Sequence, residues 1–202
     1  MSSPLDAVPE QEEAKGLLRA ALAAEPAHAY LFHGPRGVGK RRAALAFAAE
    51  LLGEQDRVLR ASHPDLYVLE PLGDQIRIDA VRELRRDLHM RPFEAERRVY
   101  LVFGAHLLND EAADALLKDL EEPPGYAVIV LVADEVGPLP ETIRSRCQGV
   151  PFRRLSERAV QEERVRVGLR EGRREQPLRL VLLDDGGERV AHSGCTQTST
   201  GP

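Results

Sequence analysis

The chain has 202 residues, enough for one ordinary domain and a small second one, and its 43% hydrophobic and 30% charged residues suit a soluble globular protein. A net charge of -5 and a pI near 5.7 argue against a free-standing nucleic-acid binder, which would usually be basic. There is no basic, apolar leader and no run of about 18 apolar residues, so the expected location is cytoplasmic, with no membrane partner.

Aromatics are only 4% and Trp is absent, so the core must be aliphatic. The first element is a helix in "EEAKGLLRAALAAEP", with Leu17, Leu18, Ala21 and Leu22 on one face and Pro26 closing it. The short apolar run "AYLF" then enters the glycine-rich "HGPRGVGK", and "KRRAALAFAAELLG" comes next as a helix stopped at Gly53. "DLYVLEP" reads as a strand. "QIRIDAVRELRRDLHM" reads as a short alternating piece and a helix that Asp79 can cap. "RVYLVF", Arg98 to Phe103, is a buried strand. Asn109 or Asp110 caps the helix "EAADALLKDLEE", which prolines end. "AVIVLVA", Ala127 to Ala133, is the most apolar strand, and a proline-bracketed short helix, "GPLPETIRSRCQG", leads to "VPF". Alternating strands and helices with short loops predict an α/β fold, its mostly parallel sheet flanked by helices.

The spacing G-x-x-x-x-G-K between a strand and a helix is that of a phosphate-binding loop, in which backbone N–H groups and a helix N-terminus hold the anion. The candidate nucleotide-binding residues are Gly34, Pro35, Gly37, Val38, Gly39 and Lys40. The next position, usually a Ser or Thr that holds magnesium, is Arg41. The strand expected to end in acidic groups runs into "GAHLL" with no carboxylate. Such a site can bind ATP or ADP but lacks groups for efficient hydrolysis, and no cofactor is certain.

Arg144 and Arg146 in "TIRSRCQ" read either as caps of helix carbonyls or as arginines projected to a phosphoryl transition state in a neighbouring subunit. His63 in "SHPD" reads as a turn residue rather than a metal ligand. The run Arg82, Arg85, Arg86, Arg91, Arg97 and Arg98 reads as a solvated face interleaved with acids. Cys147 and Cys195 have no metal-ligand spacing and read as free thiols rather than a disulfide, and no metal site is expected.

"HAYLFHGPRGVGK", "HPDL", "ALLKDLEEPP" and "LPETIRSRCQ", in this order, resemble the bacterial clamp-loader subunits of DNA polymerase III, AAA+ ATPases, and within them the delta-prime type. The resemblance runs from Glu10 to Phe152. It implies an AAA+ P-loop domain over residues 1–153 and a partial helical lid over 154–190, while the composition of "HSGCTQTSTGP" reads as a disordered tail over 191–202. It also implies a non-catalytic stator in DNA replication, acting in the loading of a sliding clamp. Arg146, between the interface-motif residues Ser145 and Cys147, would be the arginine finger given to a neighbouring ATPase subunit. The implied partners are the motor subunits and the delta subunit, with the clamp and primer–template DNA reached through the complex.

In the motor subunits an Asp-Glu pair and a phosphate-sensing polar residue stand where this chain has Phe103, Gly104 and Ala133. Asp114 and Asp119 replace the family's usual Asn and Thr around "ALLK" and read as tolerated. Leu51 to Ser62 contains no cysteine, so the zinc module of many relatives is not expected. After Leu155 there is room for a partial lid and none for the helical collar of the family. The competing reading is a self-contained P-loop ATPase or phosphotransferase, and a third is a truncated relative without function.

Overall fold

In a computed structural model of the protein, which describes residues 3–162, five parallel strands form one sheet in the order β2-β3-β4-β1-β5. They are β1 (Ala29–His33), β2 (Leu66–Leu69), β3 (Arg98–Phe103), β4 (Ala127–Ala133) and β5 (Gln148–Pro151). The helices are α1 (Glu12–Ala23), α2 (Lys40–Leu52), α3 (Gln55–Leu59), α4 (Ile78–Leu88), α5 (Asp110–Glu121) and α6 (Glu141–Arg144). The expected lid lies mostly, and the expected tail wholly, outside the described residues, as does Cys195.

The sheet is central because β3 and β4 are buried at every position, which requires cover on both faces. Tyr30, Phe32, Val99, Leu101, Val128 and Val130 pack under α1 and α2. Alternate residues Leu31, Tyr100, Val102, Ile129 and Leu131 pack with Leu84, Leu88 and Leu116 of α4 and α5 on the other face. Register brings the strand ends together. His33 pairs with Ala133 and Phe103 with Val132, so β1, β3 and β4 end side by side. β1 and β4 are neighbours whose outgoing connections run to opposite edges of the sheet, β1 to β2 and β4 to β5, and in open α/β sheets ligands bind at such a point, beyond the carboxyl ends of the strands.

Helix signals were mostly as expected. Asn109 caps α5, accepting from the Ala112 N–H at 3.0 Å, and Gly53 ends α2 in the left-handed conformation. Asp79 does not cap its helix. It lies inside the first turn of α4, where Arg82 pairs with it, and the capping position is Arg77 without a side-chain bond.

The arginine run is not a uniform solvated face. Arg98 is the first residue of β3, is 3% exposed and pairs with Asp87. Arg85 pairs at 2.7 Å with buried Asp119, so that acid has a specific partner within the packing of α4 on α5. Burial raises the Asp119 carboxyl above its ordinary value, against the pull of Arg85 and His89.

His63 is buried, and its Nδ1 accepts from the Asp65 N–H at 3.1 Å, which is a turn role. Asp65 is fully buried, yet its carboxylate accepts from the N–H groups of Phe93, Glu94 and Ala95 at 2.6 to 2.9 Å. Burial opposes its ionisation, but these bonds and nearby Arg98 outweigh burial and hold it below the ordinary carboxylate range. Asp65 thereby fixes the loop that leads into β3.

Candidate nucleotide site and arginine finger

The loop after β1 is shaped by close approach. Gly34 has φ +140, and a Cβ there would lie 2.1 Å from the carbonyl oxygen of Phe152, whose own N–H donates to His33 O at 2.7 Å. Gly39, at φ +96, caps α2 without a side-chain bond to the helix N-terminus. Lys40 is 4% exposed. Its ammonium donates to the carbonyls of Gly34 and Pro35 at 2.7 and 2.6 Å and pairs with Asp134 at 2.8 Å. These bonds tie the lysine to the start of its own loop and to the residue after β4. Burial first, and the charge of Lys40 second, hold His33 below the ordinary imidazole value. Pro35, Gly37 and Val38 complete the loop as the spacing predicts, with Val38 turned into the core.

The positions that would supply hydrolysis meet in space, and each carries the wrong group. Arg41, in the first turn of α2, lies with its guanidinium over the Phe103 ring, 4.2 Å from the centroid. Its Nη2 also donates to Glu70, the residue after β2. Gly104 has no side chain to offer, and Ala133 is fully buried. A magnesium ion held in the usual way needs an oxygen from the position after the loop lysine and a carboxylate from the neighbouring strand end. Position 41 offers a cation and position 103 a hydrocarbon ring. The two nearby carboxylates, Glu70 and Asp134, are already paired with Arg41 and Lys40. No group of three or more His, Cys, Asp or Glu side chains among the described residues is placed to hold a metal. These residues do not fit the ion.

Arg146 lies just beyond α6. Its Nη1 donates to Thr142 O at 2.9 Å and its Nη2 to Glu121, at the end of α5, at 2.6 Å. The side chain keeps 35% of its surface exposed. The capping role open to it in the sequence is therefore present, together with an ion pair at the junction of α5 and α6. Ser145 donates from Oγ to Thr142 O at 3.1 Å. Cys147 is a free thiol packed against the α4–α5 face of the core, and burial pushes it up to about 12. It serves as a packing residue at the edge of that face.

Sequence reasoning missed Gln11, Glu70 and Asp134. Glu70 and Asp134 come directly after the last residues of β2 and β4, and a carboxylate at a strand end is the signal that could have found them. Gln11 is reached only through the fold. Its side-chain nitrogen donates to Arg153 O at 2.7 Å and to Val38 O at 3.3 Å, and its oxygen accepts from the Arg153 N–H at 2.9 Å. Glu10 accepts from Ser156 N and Oγ beside it, and Glu10 and Gln11 are both left-handed, at φ +51 and +56. This latch joins the glycine loop to the chain after β5. It borders a cavity of about 650 Å³ lined by Val8, Pro9, Lys15, Arg158 and Ala159 among others. Val8 and Pro9 also stand 3.5 and 3.8 Å from where a Cβ of Gly39 would be, so this cavity adjoins the loop.

Residues 10–156 match the family described as DNA polymerase III, delta subunit. DNA polymerase III subunit delta′ of Pseudomonas aeruginosa is 40% identical over 139 residues, 61% of this chain and 42% of that protein. Subunit delta′ of Bacillus subtilis is 33% identical over 67% of this chain and 45% of its own length, and subunit tau of the same organism 33% over 77% and 30%. The chain thus spans 30% to 45% of these three relatives. Among solved structures, a DNA polymerase III gamma-subunit-related protein of Thermotoga maritima aligns with a TM-score of 0.63. It is 26% identical, over 80% of this chain and 52% of that one. Thermotoga maritima RuvB, 19% identical with a TM-score of 0.61 over 85% of this chain and 55% of its own, shares the fold. The architecture is the AAA+ P-loop type that the sequence led one to expect.

Proposed function

The chain belongs to the DNA polymerase III delta-subunit family, and we propose that it serves in DNA replication as a clamp-loader subunit that hydrolyses no ATP itself and lends Arg146 to a neighbouring ATPase subunit. The observation that carries this is the contact of Arg41 with Phe103. Two positions that should jointly hold a magnesium ion are instead packed against each other as guanidinium and ring, closed by Glu70. A site built that way lacks the ligands for the metal, and its two acids, Glu70 and Asp134, are paired with Arg41 and Lys40 instead of free to position the attacking water. The competing reading, a self-contained P-loop ATPase or phosphotransferase, needs both.

Arg146 retains what a donated arginine needs. It sits at a helix end, and Thr142 and Glu121 hold the planar fork in one orientation. The Glu121 pair is part-exposed, and such pairs contribute about 0–1 kcal/mol. A pair that weak holds the guanidinium without committing it, so a neighbour's phosphate can take Glu121's place. The delta subunit, the sliding clamp and primer–template DNA are the partners this role implies. No described helix is long and apolar enough to cross a membrane.

The first test is incorporation. The full chain, mixed with ATPase subunits of the loader from the same organism, should co-elute with them as one assembly on size exclusion. A chain that stays separate at every ratio would overturn the proposal.

A further inference from the structure

We propose that the glycine loop takes nucleoside di- and triphosphates free of divalent metal, with the Arg41 guanidinium supplying the positive charge that magnesium brings to other phosphate loops, a proposal that rests on reading residues 34–40 as a phosphate cradle. Lys40 is buried and committed to Gly34, Pro35 and Asp134. The more exposed cation at the cradle is Arg41, one residue on, whose side chain is 42% exposed. The Phe103 ring holds its guanidinium plane from one side. Glu70 engages Nη2, and a guanidinium carries five N–H donors in a fork suited to phosphate oxygens.

A metal-bound nucleotide is the poorer ligand for this arrangement. Its cation would face Arg41 at short range and find no oxygen from position 41 or 103. It would also cancel two of the negative charges that attract the guanidinium. Magnesium therefore competes with Arg41 for the same phosphate oxygens instead of assisting it. Glu70 acts as a placeholder for the anion, since it is half-exposed and pairs with the donor that phosphate would take.

The experiment is calorimetric titration of ADP and ATP into the full chain, once with magnesium and once with EDTA. Binding in EDTA should be at least as tight as with magnesium, and Arg41→Gln should weaken it roughly ten-fold, the loss expected for a charge-assisted bond. Glu70→Gln, which releases the guanidinium, should tighten it. Equal melting temperatures of the variants establish that the fold is intact. Binding that requires magnesium, or that is indifferent to Arg41→Gln, overturns metal-free binding while leaving the cradle standing. No binding in either buffer removes the cradle, and this proposal with it.

Discussion

Replacing Arg146 by Ala should cut ATP turnover at the neighbouring site of an assembled loader by about 10³ to 10⁵, the effect of removing a transition-state arginine. The assembly itself should survive. Among the described residues the side chain bonds only what Thr142 and Glu121 offer, and both contacts are part-exposed. Losing them should cost the fold about 1 kcal/mol or less. A large kinetic effect on a small stability effect is the signature of a residue that acts elsewhere. Arg146→Lys separates charge from geometry. Lysine keeps the charge but not the two-pronged fork, so most of the loss should remain. If Arg146 were only a cap for α6, both variants would leave turnover unchanged and lower the melting point slightly. The measurement is steady-state phosphate release at matched incorporation of wild type and variants.

The second large effect concerns the loop's first glycine. Gly34→Ala should destabilise the protein by about 3–5 kcal/mol. Two causes act together: φ is +140, where side-chain-bearing residues are strained, and the new methyl would meet a backbone oxygen, Phe152 O, at 2.1 Å. Backbone at the end of β5 cannot swing aside as a flexible side chain would, because Phe152 N–H is bonded to His33 O and Gln11 clamps Arg153. Gly37→Ala is the internal comparison. Gly37 has φ +82 and nothing within 4 Å of a new Cβ. Its cost should be only the backbone strain, about 1–2 kcal/mol. Urea unfolding of the two variants decides it. Equal costs would mean that the end of β5 is free to move, and with it the latch between the loop and the chain beyond.

Where the sequence was legible, the reason is local. β3 and β4 match their apolar runs residue for residue, because a strand buried on both faces leaves an unbroken apolar signature. The glycine loop is legible because its spacing and both flanking elements lie within a few dozen residues. The absence of an oxygen at 41 and of carboxylates at 103 and 104 was also readable. What replaces them was not. Arg41 reaches Glu70 across 29 positions, and Gln11 reaches Arg153 across 142. Pairing at those separations is set by strand order, which composition and periodicity do not encode.

The two misreadings have the same origin. Asp79 has the residue type of a cap, but the chain turns into α4 two residues earlier than that role requires, and its carboxylate meets Arg82. Arg98 belongs to an arginine-rich run, yet β3 starts on it, and Asp87 is close enough to accompany it into the interior. Burial of a charge depends on its partner, and the partner on the fold.

The central claim is that this chain's own site is without hydrolytic function while its arginine serves another. The most direct measurement is phosphate release by the full chain alone, with ATP and magnesium present, and then after addition of the loader's ATPase subunits. The expected result is no release above background from the chain alone and a rise in release by the mixture above that of the ATPase subunits without it. Magnesium-dependent turnover by the isolated chain would contradict the claim outright, since it would require at Arg41 and Phe103 the chemistry that their side chains lack.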